Sequence, residues 1–534
     1  MTETPAAAPT PESNPIAAQV APGYAFEGPA LELGGLMVDA TTLTDVRIRI
    51  PLSMLNRHGL VAGATGTGKT KTLQLMAEQL SAQGVPVFAA DIKGDLSGIG
   101  TAGTPSEKIT ERATSVGQQW AATGFPVEYY ALGGEGTGIP LRVTMTAFGP
   151  TLLSKVLGLN ETQESSLGLV FHYADRAGLP LLDLADLRAV VAHLTSPEGK
   201  ADLKELGGLS SATAGVILRE LITLQDQGAE AFFGEPEFQA SELVQVAADG
   251  RGTISLVELP NLQDRPAIFS TFLMWLLADL FHDLPEVGDV DRPKLVFFFD
   301  EAHLLFHDAS DAFLDQIAQT VRLIRSKGVG VFFVTQSPTD VPDEVLAQLG
   351  SRVQHQLRAH TPNDAKALKA TVNTYPTSAY ADLGQVLTGL GIGEAVVTVM
   401  NERGAPTPVA WTRLRAPESL MGPADPAAMD AVVKASPRYA TYAVAVDRDS
   451  AREQLAARLE AGAAKKAEED RAAEAKAGQG AAGKQPARPK AAPKQTGSAG
   501  GELVHDVVTS GAFKDFMRTA AREIARGMFK TGRR

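Results

Sequence analysis

The eight residues Gly63–Thr70 constrain the fold of this chain more than any other stretch of its sequence. They spell GATGTGKT and match the pattern G-x-x-x-x-G-K-S/T. The strand-like segment HGLVAG leads into them, and the amphipathic segment KTLQLMAEQLSAQG follows and stops at Gly84. A strand, a glycine-rich loop and a helix N-terminus in this order present backbone N–H groups to phosphate. The sequence therefore predicts a nucleoside triphosphate site on an α/β core.

Each residue of this loop has an expected role at the phosphates. Lys69 is expected to reach the β- and γ-phosphates, and the Thr70 hydroxyl to bind Mg²⁺. The glycines permit backbone angles that a side chain would forbid. A chance Gly/Thr-rich loop is the alternative, and the flanking strand and helix argue against it. The expected phosphate-binding residues are Gly63, Ala64, Thr65, Gly66, Thr67, Gly68, Lys69 and Thr70.

A second constraint is the segment KLVFFFDEAHLLF, in which an apolar run ends at Asp300 and Glu301. Ligands sit at the carboxyl ends of parallel strands, and Mg²⁺ takes only one or two protein oxygens. We expect Asp300 to hold Mg²⁺ through water, and Glu301 to orient and deprotonate the attacking water. The alternative is an acid that only caps the next helix. His303 is either a packed or exposed histidine or a residue that couples the nucleotide to a substrate.

Two further strand-like segments end in polar residues. In FFVTQSPTD, Gln336 is expected to contact both the γ-phosphate and the attacking water, although it could instead bond to loop backbone. In AADIKGDLSG, the residues Asp91, Lys93 and Asp95 either line the nucleotide or substrate path or form a solvated turn. Both interpretations of the second segment stay open.

Basic residues precede the Gln336 strand in TVRLIRSKGVG. Arg322, Arg325 and Lys327 either form a solvated helix face or supply an arginine that reaches the nucleotide of a neighbouring subunit. Arg352 and Arg358 are further candidates for that arginine.

Composition limits the class of protein. Among the 534 residues there is no cysteine, which excludes disulfides, cysteine-ligated zinc and thiol catalysis. The N-terminal residues lack a signal-peptide pattern, so we expect a cytoplasmic protein. The formal net charge of −13 argues only weakly against DNA binding, because a basic channel can be local. The apolar run FLMWLLA stops at Asp279 and is expected to be a core helix.

The sequence pattern also suggests boundaries. Residues 1–22 are rich in Ala, Pro and Thr and are expected to be disordered. Residues 23–446 form the expected α/β domain, with a helical insertion at about 150–250 and a late hairpin from EAVVTVM and PTPVAWTRL. Residues 447–500 are expected to be a charged helix and a low-complexity linker, and residues 501–534 an amphipathic basic helix.

In that last helix, basic residues recur every four positions beside an apolar stripe. It could bind anionic lipid or nucleic acid, or dock on the chain's own core or on a neighbouring subunit; docking is the favoured interpretation. The basic row is Lys514, Arg518, Arg522, Arg526 and Lys530, and the stripe is Phe513, Phe516, Met517, Ala520, Ile524 and Met528.

With these motifs in hand, the chain resembles the HerA/FtsK superfamily of P-loop motors, and more closely the bacterial HerA-like proteins with an uncharacterised nucleotide-binding domain (the YjgR-like group). The segments that carry the resemblance include GATGTGKT, DIKGDLSG, LNETQE, FFGEPEF, KLVFFFDEAHLLF, VRLIRSKGVGVFFVTQSPTDVPDEVLAQLGSRVQHQLRAHTP and GIGEAVVTV. It covers roughly residues 25–460. It implies a RecA-like P-loop NTPase core with a mostly parallel sheet, a homo-hexameric ring and ATP with Mg²⁺ between subunits.

The resemblance also assigns roles. It implies that Lys69 and Thr70 are the Walker A pair, Asp300 and Glu301 the Walker B pair, Gln336 the sensor and Arg325 the trans-acting arginine. In related motors DNA passes through the pore, so we expect an ATP-hydrolysing DNA translocase; a nucleotide-dependent scaffold and a protein-pumping motor are the alternatives. HerA proteins carry an N-terminal barrel that docks a nuclease. Because the segment before the phosphate loop is short here, a nuclease partner is in doubt.

Overall fold

A computed structural model describes residues 14–481, apart from 135, 204–206, 260–265, 289, 307–308 and 310. Its strands are β1 (Ala30–Val38), β2 (Thr41–Pro51), β3 (Gly59–Ala62), β4 (Val87–Asp91), β5 (Val127–Leu132), β6 (Ile139–Leu141), β7 (Ile254–Glu258), β8 (Leu295–Phe299), β9 (Val329–Thr335), β10 (Ser351–Gln354), β11 (Glu394–Thr398) and β12 (Ala410–Leu414).

All of these strands belong to one 12-stranded sheet, in the order β2-β1-β12-β11-β10-β3-β9-β8-β4-β7-β5-β6. From β10 to β6 every neighbouring pair is parallel. From β2 to β10 every neighbouring pair is antiparallel. The central strands β3, β4, β8 and β9 are buried along their whole length, as continuous apolar runs require when helices cover both faces.

The helices are α1 (Pro15–Val20), α2 (Lys69–Ala82), α3 (Glu107–Ser115), α4 (Met145–Val156, kinked at Gly149), α5 (Glu161–Arg176), α6 (Leu184–Thr195), α7 (Pro197–Asp202), α8 (Ser211–Asp226), α9 (Pro266–Asp283), α10 (His303–Phe306), α11 (Asp311–Ile324), α12 (Asp343–Leu346), α13 (Pro362–Asn373), α14 (Leu383–Gly389), α15 (Pro426–Ala435), α16 (Pro437–Tyr442) and α17 (Ala451–Ala481). Short 3-10 helices span Ala21–Tyr24, Leu52–Arg57, Ser97–Gly100, Ala229–Phe232, Ala240–Leu243, Arg325–Lys327 and Pro338–Asp340.

This arrangement confirms the predicted fold class, a mostly parallel α/β sheet with a helical insertion. Helices α4 to α8 form that insertion, between β6 and β7. The predicted capping box at the start of α5 is present: Asn160 accepts from the Gln163 backbone N–H, and Gln163 accepts from the Asn160 N–H, each at 3.0 Å. The late hairpin is also confirmed, as the antiparallel pair β11–β12.

The prediction of disorder over residues 1–22 is wrong for the part that the structure describes. Asn14 caps α1, because its side-chain oxygen accepts from the N–H groups of Ile16 and Ala17 at 2.9 and 3.3 Å. Ala17 and Val20 are fully buried. The prediction from Ala/Pro/Thr-rich composition failed here because a few apolar residues are enough to pack a short helix against an existing core.

Tyr24 joins this segment to β11 and to the residues just before β12. Its hydroxyl lies 2.9 Å from the carbonyl oxygen of Val397 and 2.8 Å from that of Pro408, and it accepts from the Thr407 hydroxyl at 2.9 Å. The ring is buried. The N-terminal hairpin β1–β2 extends the same sheet through β12, and so belongs to the core rather than to a separate barrel.

The C-terminal end of the described chain is α17. In its first turn the Glu453 carboxylate accepts from the Ser450 N–H at 3.1 Å, and the Arg452 N–H donates to Asp186 on the helical insertion at 2.9 Å. One compact unit ends at Ala461, and a second begins at Gly462. The predictions of a low-complexity linker after this helix and of a basic helix over residues 501–534 lie outside the described residues.

The segment FLMWLLA is a core helix, as predicted. It lies in α9, where Phe272, Trp275 and Leu276 are buried. Within the part of the chain that the structure describes, no helix combines the length and the apolar character needed to cross a bilayer.

Replacing Tyr24 by phenylalanine tests whether the N-terminal segment is part of the folded domain. Tyr24→Phe removes a buried hydroxyl and leaves its partners unbonded, so the free energy of unfolding is expected to fall by about 1–3 kcal/mol. Urea unfolding monitored by circular dichroism measures this change. No described hydrogen bond involves the hydroxyl of the half-buried Tyr439, so Tyr439→Phe serves as the control; an equal effect of both changes would contradict the role of Tyr24.

Candidate nucleotide-binding site

The phosphate loop joins β3 to α2, and its glycines occupy backbone conformations that favour glycine. Gly63 has φ 153° and Gly68 has φ 113°. A Cβ atom on Gly63 would lie 2.5 Å from the Cβ of His355, and one on Gly68 would lie 3.4 Å from the Gly393 nitrogen. Both the backbone angle and the close neighbour therefore require glycine at position 63.

Neighbouring strand ends hold the loop in place. The Gly63 N–H donates to the Thr335 carbonyl at 3.2 Å, and the Ala64 N–H donates to the Gln356 carbonyl at 2.8 Å. Thr335 ends β9, and Gln356 follows β10, so the strands on both sides of β3 position the loop. These bonds use only the first part of the loop.

Lys69 is the first residue of α2, as the motif predicts, and it is buried beneath the loop. Its Nζ donates to the carbonyl oxygens of Gly63 and Ala64 at 2.7 and 3.3 Å. Burial lowers the pKa of Lys69, while the charges of Glu301 and Asp300 act in the opposite direction. The ammonium therefore lies between the loop and the acidic strand end. Thr70 is the next residue of the helix and is half buried.

The acidic strand end follows β8, which lies between β9 and β4. Asp300 is 2% exposed; its Oδ1 accepts from the Glu301 N–H at 2.9 Å, and its Oδ2 has no hydrogen-bond partner among the described residues. Burial, and then the neighbouring Glu301 charge, raise the pKa of Asp300 to about 7. A buried carboxylate oxygen without a partner is costly, and a cation would offset that cost. The site therefore fits Mg²⁺.

Glu301 has a strained backbone, with φ 48°, and its side chain is 8% exposed. Its Oε1 accepts from the Lys93 ammonium, and its Oε2 lies 3.3 Å from Nδ1 of His303. Burial alone would raise the pKa of Glu301, but the Lys93 ammonium, and then the charge of His303, lower it below its usual value. Gln336 directly follows β9, the strand beside β8, and so lies at the same edge of the sheet as Glu301. Its sensor role stays a prediction.

The segment Asp91–Asp95 forms the turn that was one of its two interpretations. Asp91 is buried, and its carboxylate accepts from the N–H groups of Lys93, Gly94 and Leu96 at 3.2, 2.8 and 2.8 Å, which is an aspartate-initiated turn. Burial raises the pKa of Asp91 to about 6. The turn also places the Lys93 ammonium against Glu301, and the alternative that the segment lines the nucleotide path stays a prediction.

The arginines separate into two groups. Arg325 begins the turn before β9 and therefore lies at the amino edge of the sheet, where its charge adds to the burial that lowers the pKa of His58 to about 4. The seven residues of β9 span about 23 Å, which puts Arg325 far from its own phosphate loop. Arg352 donates to the Thr374 hydroxyl at 2.6 Å. Its side chain is therefore engaged away from the loop.

Arg358, by contrast, lies at the loop of its own chain. Its Nη2 donates to the Thr65 carbonyl at 3.2 Å. Arg112, which sequence reasoning did not consider, donates to the carbonyls of Gly393 and Ile392 at 3.1 and 2.8 Å, and the Gly393 N–H donates to the Thr67 carbonyl at 3.0 Å. The Arg112 contact could not be read from the sequence, because its partners are about 280 residues away.

His355 is the second residue that sequence reasoning missed. It is fully buried, its Nε2 lies 2.9 Å from the Thr72 hydroxyl, and its backbone N–H donates to the Ala62 carbonyl at 2.7 Å. Burial, and then the charge of Lys69, lower the pKa of His355 to about 3, so the ring is neutral. It packs directly against Gly63. The polar run QHQ, which begins at the last residue of β10, was the signal that could have identified it.

The fold and this site define a P-loop protein of the HerA/FtsK superfamily. The chain belongs to the Helicase HerA-like C-terminal family, whose model matches residues 37–534. A curated relative is the DNA double-strand break repair helicase HerA of Sulfurisphaera tokodaii, which is 22% identical over 367 residues, or 66% of this chain and 64% of the relative. The chain therefore spans less than two thirds of that relative's length.

Two solved structures are also similar to the chain. The plasmid coupling protein TrwB in complex with ADP and Mg²⁺ has 16% identity and a TM-score of 0.48, over 75% of this chain and 98% of that one. VirB4 of Thermoanaerobacter pseudethanolicus has 15% identity and a TM-score of 0.46, over 73% of this chain and 98% of that one.

Adding one methyl group to the loop tests its geometry. Gly63→Ala places a Cβ against His355 in a strained backbone conformation, so affinity for ATP is expected to fall by at least about tenfold, the equivalent of 1.4 kcal/mol. Titration with a fluorescent ATP analogue measures the change. Gly422→Ala is the matched control, because a Cβ there meets open space. Unchanged affinity in Gly63→Ala would contradict the proposed loop geometry.

Proposed function

We propose that this protein binds and hydrolyses ATP with Mg²⁺ and uses the energy to translocate along DNA as a ring. The observation that carries the proposal is the buried Asp300 carboxylate beside Glu301, two strands from the phosphate loop in the order β3-β9-β8; its Oδ2 has no hydrogen-bond partner among the described residues. Phosphoryl transfer needs phosphate binding, charge neutralisation and an oriented water at one edge of a sheet. These residues supply each of the three.

Each residue has a separate task in hydrolysis. Thr70 and Asp300 would hold Mg²⁺, which neutralises phosphate charge when it is bound. Lys69 stabilises the charge that develops on the γ-phosphate, and the loop N–H groups bind the phosphate oxygens. Glu301 takes the proton of the attacking water, and Gln336 holds that water or the γ-phosphate in line. The position of Gln336 directly after β9, the strand next to β8, supports this pairing.

Assembly into a homo-hexamer would complete the site. Arg325 lies at the opposite edge of the sheet from its own loop, so it could act only on the nucleotide of a neighbouring subunit. There it would stabilise transition-state charge as an arginine finger. DNA is proposed as the substrate because the HerA relative is named a DNA repair helicase. A nuclease partner is not part of this proposal.

The direct test is ATP turnover by the full chain with and without single- and double-stranded DNA. Turnover is expected to rise several-fold with DNA. Glu301→Gln is expected to lower it by about 10²–10⁴-fold, the usual contribution of general base catalysis, while ATP binding persists. Turnover that no DNA or RNA changes would contradict the translocase and favour a scaffold or a protein-pumping motor. Turnover that survives Glu301→Gln would contradict the catalytic assignment.

Mixing two inactive variants tests the trans position of Arg325. Arg325→Ala and Lys69→Met are each expected to lose turnover, by about 10³-fold or more for the arginine. Mixed rings should regain part of it, because some interfaces pair an intact Lys69 with an intact Arg325. Sizing chromatography checks ring formation in every sample, and Arg322→Ala, at an exposed residue of α11, is the control. Full turnover by Arg325→Ala at ring-forming concentration would contradict the role.

A further inference from the structure

Lys93 is a positively charged residue at the centre of the site that the hydrolysis scheme above does not use. It follows β4, the strand next to β8 on the side away from the phosphate loop. The Asp91 carboxylate fixes its backbone through the three N–H groups of the turn. A rigid turn therefore presents this ammonium to the acidic strand end.

The side chain is less fixed than the backbone. Its ammonium donates to Oε1 of Glu301, yet the side chain is 41% exposed, against 8% for Glu301. Its charge also acts on Lys69 and Asp300. The ammonium thus lies among the residues that would surround a γ-phosphate, on a flexible four-carbon stem that can change partner.

We propose that Lys93 is a second phosphate-binding cation, which leaves Glu301 and donates to the γ-phosphate when a nucleoside triphosphate binds. This inference rests on the proposed function and assigns a further residue to the same site. A γ-phosphate carries more negative charge than one carboxylate and offers three acceptor oxygens, so it competes for the ammonium. A diphosphate has no such group and leaves Lys93 paired with Glu301.

The exchange has two consequences for the chemistry. A carboxylate oxygen that accepts from an ammonium is a weak base, because its lone pair and its charge are already engaged. Transfer of Lys93 to the γ-phosphate frees that oxygen of Glu301 for the attacking water. It also makes the site select ATP over ADP. Lys93 would then couple the presence of the third phosphate to the readiness of the base.

A simpler role for Lys93 is to neutralise Glu301, and the experiment must separate the two. In Lys93→Met the unpaired Glu301 would repel ATP more than ADP, even if Lys93 never touched a phosphate. The comparison is therefore made in Glu301→Gln, where that carboxylate charge is absent and ATP is expected to be consumed only slowly. Binding of fluorescent ATP and ADP analogues is measured with and without Mg²⁺ for Glu301→Gln and for Glu301→Gln with Lys93→Met.

Adding Lys93→Met to Glu301→Gln is expected to lower the preference for ATP over ADP by about tenfold, which is the contribution of one charge-assisted hydrogen bond. The affinity for ADP should stay nearly unchanged. Lys93→Arg in the same background should restore most of the preference. Lys434→Met is the control for loss of one positive charge, because Lys434 pairs with Asp430 on the exposed face of α15. An unchanged preference, or equal losses for both nucleotides, would overturn the role of Lys93. Loss of all ATP binding in Glu301→Gln alone would contradict the proposed site itself.

Discussion

The parallel register of three adjacent strands is the constraint on which the site depends. Ala62 of β3 lies opposite Thr335 of β9, and Phe333 of β9 lies opposite Phe299 of β8. Because parallel strands in register end at one edge, the residues that follow them meet there. The apolar side chains of these strands, which are buried on both faces, hold that register. A shift of one strand by a single residue would point each of its side chains to the opposite face of the sheet. It would also move the polar residue at the strand end away from its neighbours.

Burying carboxyl groups at the carboxyl edge of the sheet has an electrostatic cost. Asp300 is buried, and one of its oxygens has no partner in the part of the chain that the structure describes. Asp91 is buried one strand away. Burial, and then the Asp91 charge, raise the pKa of Glu258 at the end of β7 to about 7. Carboxyl groups whose pKa is raised in the folded chain make the protein less stable as the pH rises from about 4 to about 7, because the unfolded chain releases those protons first. Titratable groups perturbed by burial and by one another cluster at functional sites, and this edge is such a cluster.

Local sequence was enough to predict the phosphate loop, the acidic pair and the parallel core, because each depends on a short contiguous pattern. It was not enough for contacts between distant segments. Lys93 and Glu301, or Arg112 and Gly393, are separated by more than 200 residues, and only the strand order brings them together. Composition misled at α1, where Asn14 and two buried apolar residues override an Ala/Pro-rich background. The roles of Gln336 and Arg325 stay predictions, because each concerns a nucleotide or a second subunit.

The bond between the Gly393 N–H and the Thr67 carbonyl has a consequence for the order in which the protein can be completed during synthesis. The phosphate loop leaves the ribosome early, but Asp300, Gln356 and Gly393 follow only after hundreds of further residues. Contacts of such long sequence separation form slowly and late. The contacts of the candidate nucleotide site are thus expected to be among the last of the domain to form. The contacts of the loop Gly63–Thr70 with Gln356 and Gly393 can therefore form only after β10 and the segment that ends at Gly393 have been made.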